Sequence, residues 1–135
     1  MELLICYLKK FKGQQGLYII RPKNKDLLKQ ICKKISYEFT SDIAYIGKSK
    51  NLFKRGKEEM GWSNFEGATF VRKIGLYLDF DIKDKRNKVL RDQTRVFICS
   101  NFEIECIPFD NKINILCEET KYIKSLKPSM NDNKK

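Results

Sequence analysis

Short apolar runs separated by charged stretches recur along this chain, and their spacing switches between a two-residue and a helical period. Residues 17–20 and 43–46 are short, rich in Tyr and Ile, and read as strands. The 22 residues between them, 21–42, carry Leu27, Leu28, Ile31 and Ile35 at helical spacing, which predicts a helical insert starting near Asp26. After Gly47 a polar run, 48–51, leads into a short helix bearing Leu52 and Arg55, with Asn51 as its N-cap. Phe70, Val71, Ile74, Tyr77 and Leu78 follow i, i+1, i+4, i+7, i+8, the stripe of an amphipathic helix. Residues 79–92 are charged and unpatterned, as in a surface loop. Phe102, Ile104 and Cys106 alternate with Glu103 and Glu105, as in a half-buried strand. A last helix runs from about 114 to 126 and stops before Pro128. This order predicts a mixed α/β domain of the α+β type, with a small sheet whose first two strands pair antiparallel.

With 135 residues and no linker or repeat, the chain reads as one domain over 1–135, with a polar tail at 131–135. A 41% apolar composition with nine Phe, six Tyr and one Trp supplies a core. No apolar run reaches the length of a membrane span, and the N-terminus lacks the basic and apolar regions of a signal peptide. The expectation is a soluble, unprocessed, cytoplasmic protein without a membrane partner. Trp62 is expected in the core or at a hinge.

Five cysteines, odd in number and widely spaced, include no C-x-x-C pair, so they read as buried thiols rather than zinc ligands. Histidine is absent. Any enzyme built on this chain must therefore move protons through Tyr, Lys, Glu or Asp. A net charge of +11 favours a polyanionic partner, and 22 Lys against 6 Arg favours general phosphate attraction over base reading. A solubilising lysine surface accounts for the charge equally well. The same two readings hold for Lys23, Lys25, Lys29, Lys33 and Lys34 of the insert.

One carboxylate is out of place. At about 100° per residue, Ile115, Leu116, Tyr122, Ile123 and Leu126 define the apolar face of the last helix, and Glu119 falls near its middle. Burying that charge is costly unless it gains a basic partner, a bound cation, or a local opening of the core into a cleft.

Gly16-Leu17-Tyr18 and Tyr45-Ile46-Gly47 resemble the paired motifs of the GIY-YIG endonuclease family. Arg55 follows ten residues after Tyr45, as in the family's strand, turn and helix. Glu119-x-x-Tyr122-Ile123-x4-Pro128-x-x-Asn131 is similar to the family's closing pattern. The resemblance covers residues 16–131, the expected core. Residues 70–75 also look like the middle helix of some members. The insert at 21–42 is longer than the family's usual connection, and Glu59 stands where relatives often carry His or Tyr.

The resemblance implies a GIY-YIG-like fold, a central antiparallel sheet of about three strands flanked by helices. It also implies a divalent-metal-dependent DNA endonuclease that hydrolyses phosphodiester bonds, restriction-type or phage-borne. Under it, Tyr18 is the general base, Arg55 binds the scissile phosphate, and Tyr45 hydrogen-bonds nearby. Glu119 holds one Mg²⁺ or Mn²⁺ at the leaving oxygen, Asn131 orders the site, and Lys48 contacts phosphate. The partner is double-stranded DNA, with a homodimer on DNA as one route to a double-strand cut. The alternative is a catalytically silent nucleic-acid-binding module on the same fold.

Overall fold

The computed structural model describes residues 1–84 and 87–132. Its elements are α1 (Glu2–Lys9), β1 (Gly16–Pro22), α2 (Lys25–Lys34), β2 (Tyr45–Ser49), α3 (Leu52–Lys57), one π-helical turn (Glu58–Trp62), α4 (Thr69–Tyr77), α5 (Lys88–Asn101), β3 (Phe102–Pro108) and α6 (Ile115–Leu126). The three strands form one antiparallel sheet in the order β2-β1-β3. The expected α+β class, the three-stranded sheet with flanking helices, and the antiparallel pairing of the first two strands are all present.

Side chains on the central strand alternate between two cores. Tyr18 and Ile20 face a large cluster with Leu8, Leu28, Ile31, Leu52, Phe70, Val71 and Ile98. Ile19 points the other way, joining Ile43 and Ile46 against Tyr122, Ile123 and Leu126 of α6. Every residue from Gly16 to Ile20 is buried, as a strand covered on both faces requires.

Asparagine side chains cap four of the six α-helices: Asn24, Asn51, Asn87 and Asn114 each accept from a backbone N–H of the first turn. Each such cap contributes about 1 kcal/mol, enough to fix where a short helix begins. The cap foreseen at Asn51 is formed. Gly56 lets α1 approach α3, because a Cβ there would lie 2.8 Å from Leu8 Cδ2.

The N-terminal segment, to which no element was assigned from sequence, is helical, anchored by the fully buried Leu8. Two element bounds need correction. The unpatterned stretch 79–92 is not all loop, because α5 starts at Lys88; residues 85 and 86 lie outside the described residues. The periodicity of α5 escapes notice because one inward position is Thr94, which satisfies its hydroxyl on Leu90 O at 2.8 Å and so buries like an apolar residue. Finally, the second strand is shifted toward the polar run, spanning Tyr45–Ser49 rather than 43–46.

All five cysteines are free; Cys32 and Cys106 are buried, but Cys6 and Cys117 are exposed, against the expectation of buried thiols throughout. Trp62 is partly buried beside the main cluster, with the Arg95 guanidinium 5.3 Å from its ring. Residues 133–135 of the expected polar tail lie outside the described residues.

Candidate functional site

The tyrosines of the two strand motifs come together through strand register. Tyr18 lies opposite Gly47 across the β1–β2 pair. A Cβ on Gly47 would overlap the Tyr18 hydroxyl and Cζ, so glycine there allows the Tyr18 ring to lie across β2. Tyr45, on the same face, has its ring centroid 6.2 Å from that of Tyr18 and 6.1 Å from that of Phe70.

Tyr18 is buried, and its hydroxyl donates a 2.6 Å hydrogen bond to Glu59 Oε2. Glu59 is 0% exposed and its other oxygen accepts from the Phe70 backbone N–H at 2.9 Å, so both carboxylate oxygens are engaged. Arg55 lies one helical turn before Glu59 and acts electrostatically on both Tyr18 and Glu59. Its Nη1 also reaches Glu58 Oε1 at 3.1 Å and the Gly67 carbonyl at 2.7 Å.

Charge balance in this group follows from burial. Desolvation, then the Glu59 carboxylate, holds the Tyr18 phenol well above its usual 10.0, against a smaller opposing pull from Arg55. Desolvation and Glu59 push Tyr45 up to about 12, a contact from Thr69 opposing. Burial raises Glu59 from 4.5, while Tyr18, the Phe70 N–H and Arg55 hold it down. For Arg55 burial works against the charge, yet Tyr18, Glu59 and Glu58 outweigh it and keep the guanidinium charged.

Glu119 and Asn131 belong to a second group. Glu119 sits on α6, which covers the opposite sheet face, but its charge still acts on Tyr45. It is partly buried, makes no ion pair within 4.0 Å among the described residues, and its carboxyl is raised by desolvation with Lys48 opposing. An opening into a cleft, one of the three compensations open to it, is present. Glu119 lines a depression of about 880 Å³ with Leu116, Thr120, Ile123, Asn131 and Asp132. Leu116 is 56% exposed and lines this cleft, so that residue of the expected apolar stripe does not enter the core.

Asn131 is a clamp on β2. Its Oδ1 accepts from Ile46 N at 2.9 Å and its Nδ2 donates to Ile46 O at 2.8 Å. The preceding residues continue this contact, Ser129 N bonding Ile43 O and Met130 N bonding Ala44 O. Lys127 adopts a left-handed conformation (φ 50°) and Pro128 follows, turning the chain back from α6 onto the sheet edge. Lys48 is exposed on the α6 side of β2.

The site thus brings Tyr18, Tyr45 and Arg55 together, with Glu119 and Asn131 around the outer edge of β2. Two members were not assigned roles from sequence. Glu59 carried a detectable signal, lying four residues after Arg55 and hence on the same helical face. Lys73, 4% exposed, falls between Phe70 and Tyr77 at helical spacing, a cation inside an apolar stripe. Its ammonium lies 4.6 Å and 5.5 Å from the Tyr37 and Tyr45 ring centroids, donates to the Met130 carbonyl and pairs with Asp132 at 3.2 Å. Of the insert lysines, Lys34 pairs with Asp79 at 2.7 Å and Lys29 sits 5.3 Å from the Phe39 ring centroid.

No cluster of three metal-ligating side chains exists among the described residues. One partly buried carboxylate on an open cleft fits Mg²⁺ or Mn²⁺, which take few protein ligands and complete their shell with water and substrate oxygens. No helix is long and apolar enough to cross a membrane among the described residues. The fold and site together define an α+β domain with a tyrosine, arginine and glutamate cluster against a three-stranded antiparallel sheet. The chain matches no protein-family model, no curated protein and no solved structure.

Proposed function

We propose that this protein is a divalent-metal-dependent DNA endonuclease that hydrolyses phosphodiester bonds. The observation that carries the reading is the convergence of Tyr18, Tyr45 and Arg55, residues from two strands and a helix, at one place, with the Glu119 charge acting on Tyr45 from across β2. Hydrolysis of a phosphodiester needs a proton acceptor for water, a cation on the phosphate and help for the leaving 3′ oxygen. Arg55 supplies the cation. Its side chain is 31% exposed and pairs with the 29% exposed Glu58 at 3.1 Å, an (i, i+3) contact of the kind that contributes about 0.2–0.5 kcal/mol on a helix. A phosphate, making charge-assisted bidentate bonds, displaces such a partner readily.

Tyr18 takes the proton of the attacking water and Tyr45 hydrogen-bonds beside it. A cation held at Glu119 would neutralise charge on the leaving oxygen. Asn131 keeps β2, and with it Tyr45, in register. Lys48, with the exposed Lys50 and Lys54 of the following turn, attracts the DNA backbone, as the net charge of +11 favours. A restriction-type or phage-borne role, with a homodimer on double-stranded DNA for a two-strand cut, accompanies this reading.

A second reading, a nucleic-acid-binding module that does not cleave, draws on the burial of Tyr18 and the engagement of its hydroxyl by Glu59. Supercoiled plasmid incubated with the protein in Mg²⁺, Mn²⁺ or EDTA separates the two. Nicking or linearisation that needs a divalent ion and is lost in Glu119→Ala is expected. Retained binding with intact plasmid in every metal condition would favour the silent module.

A further inference from the structure

We propose that Glu59 is the terminal proton acceptor of the site and that Tyr18 works as a neutral relay between the attacking water and Glu59. This rests on the endonuclease reading and assigns its base. The geometry fixes the direction of transfer. Both groups are buried, they are 2.6 Å apart, and the Tyr18 hydroxyl is the donor. Two cations act on the pair, Arg55 and the buried Lys73, and Lys73 is already paired with Asp132 at 3.2 Å, so the cluster accommodates one negative charge without a net buried anion. That charge resides on the carboxylate, because a carboxylic acid is intrinsically more acidic than a phenol by several pH units, roughly five to six.

A standing Tyr18 phenolate would place two anions in contact. A relay avoids this. As the water oxygen bonds to phosphorus, its proton passes to Tyr18 Oη while the original Tyr18 proton passes to Glu59 Oε2. The P–O3′ bond breaks and the 3′ oxygen takes a proton from solvent. Glu59 then returns its proton to solvent by the reverse path. Tyr18 is neutral before and after, and Glu59 alone cycles between carboxylate and acid.

The groups facing Glu59 are Tyr18 from β1, Tyr45 from β2, Arg55 from α3, Glu58 beside it, and Lys73 with the Phe70 N–H from α4. On the next turn, α5 contributes Cys99, bonded to the Met60 carbonyl, and Arg95. None of these is a better proton acceptor in contact with Tyr18. Glu59 acts through Tyr18 and is therefore a positioning and proton-accepting residue rather than one that touches substrate.

The test is single-turnover plasmid cleavage from about pH 5 to about pH 9 by wild type, Glu59→Gln, Glu59→His, Tyr18→Phe and the Tyr18→Phe/Glu59→Gln pair. Gln can keep the Phe70 N–H on its carbonyl while its amide faces Tyr18, so folding, checked by thermal melting, is retained. Glu59→Gln should lose on the order of 10²–10⁴ in rate with DNA binding kept. The double variant should be no slower than Tyr18→Phe, as for residues acting as one unit. Glu59→His should restore part of the rate, with its rising pH limb moved toward the imidazole range of about 6.5. Wild-type-like cleavage by Glu59→Gln with an unchanged pH profile, or losses that multiply in the pair, would overturn the relay and leave the nuclease standing. A wild type that cleaves nothing removes both.

Discussion

The Tyr18 hydroxyl occupies the space where a side chain on Gly47 would begin. The two residues are paired across neighbouring strands, and the ring of one lies over the backbone of the other. The glycine of the second strand motif therefore serves the tyrosine of the first. That relation explains why a Tyr-Ile-Gly triplet and a Gly-Leu-Tyr triplet, each common by chance, carry meaning together.

Gly47→Ala should consequently act on Tyr18. Overpacking a buried site costs about 1–3 kcal/mol, and the displaced ring loses its alignment with Glu59. Chemical denaturation should show the loss of stability, and plasmid cleavage should fall further than stability alone explains. An alanine variant with native stability would contradict the packing described.

Glu59 gives a signed pH dependence. Its carboxyl is raised above 4.5 in the folded protein, chiefly by burial, so the folded state binds its proton more tightly than the unfolded chain. Its contribution to stability is full below 4.5 and is lost as pH rises through the raised folded value. The stability of wild type relative to Glu59→Gln should therefore fall as pH rises through that window. Urea midpoints of the two proteins measured in parallel check this, and a difference that grows with pH would refute it.

Asn131→Ala removes two hydrogen bonds to Ile46 from the partly buried edge of β2. At the usual net value per bond, about 1–3 kcal/mol is lost in total. Hydrogen exchange should show the amides of Ile46 and Met130 opening together, because the same segment pairs Met130 with Ala44. Protection unchanged at Ile46 would mean the clamp is dispensable.

Glu119→Ala separates function from stability. The carboxylate has no ion pair among the described residues and borders an open cleft, so its removal should change stability by no more than about 0.5 kcal/mol. Metal-dependent cleavage should vanish in the same variant. A large destabilisation would make Glu119 a structural residue.

Local chemistry fixed more of this protein than its length suggests. Alternation at Phe102, Ile104 and Cys106 set a strand, the spacing of Phe70, Val71 and Ile74 set α4, and Asn51 set the start of α3, because each signal acts within a turn or two of its own position. The displaced charge at Glu119 was visible for the same reason: helical geometry alone puts it on an apolar stripe. What sequence could not settle was how that charge is accommodated, since the cleft forms where the segment after Lys127 turns back along β2 and meets Tyr37, Glu38 and Thr40. Nor could it pair Tyr18 with Glu59, 41 residues away, or bring Lys73 to the Met130 carbonyl, 57 residues on. Those contacts depend on strand register and helix packing. Tertiary structure alone decided that the residue marked as a departure from the resemblance, Glu59, is the one Tyr18 touches, because the packing of the helix after β2 against the sheet brings that carboxylate to the hydroxyl.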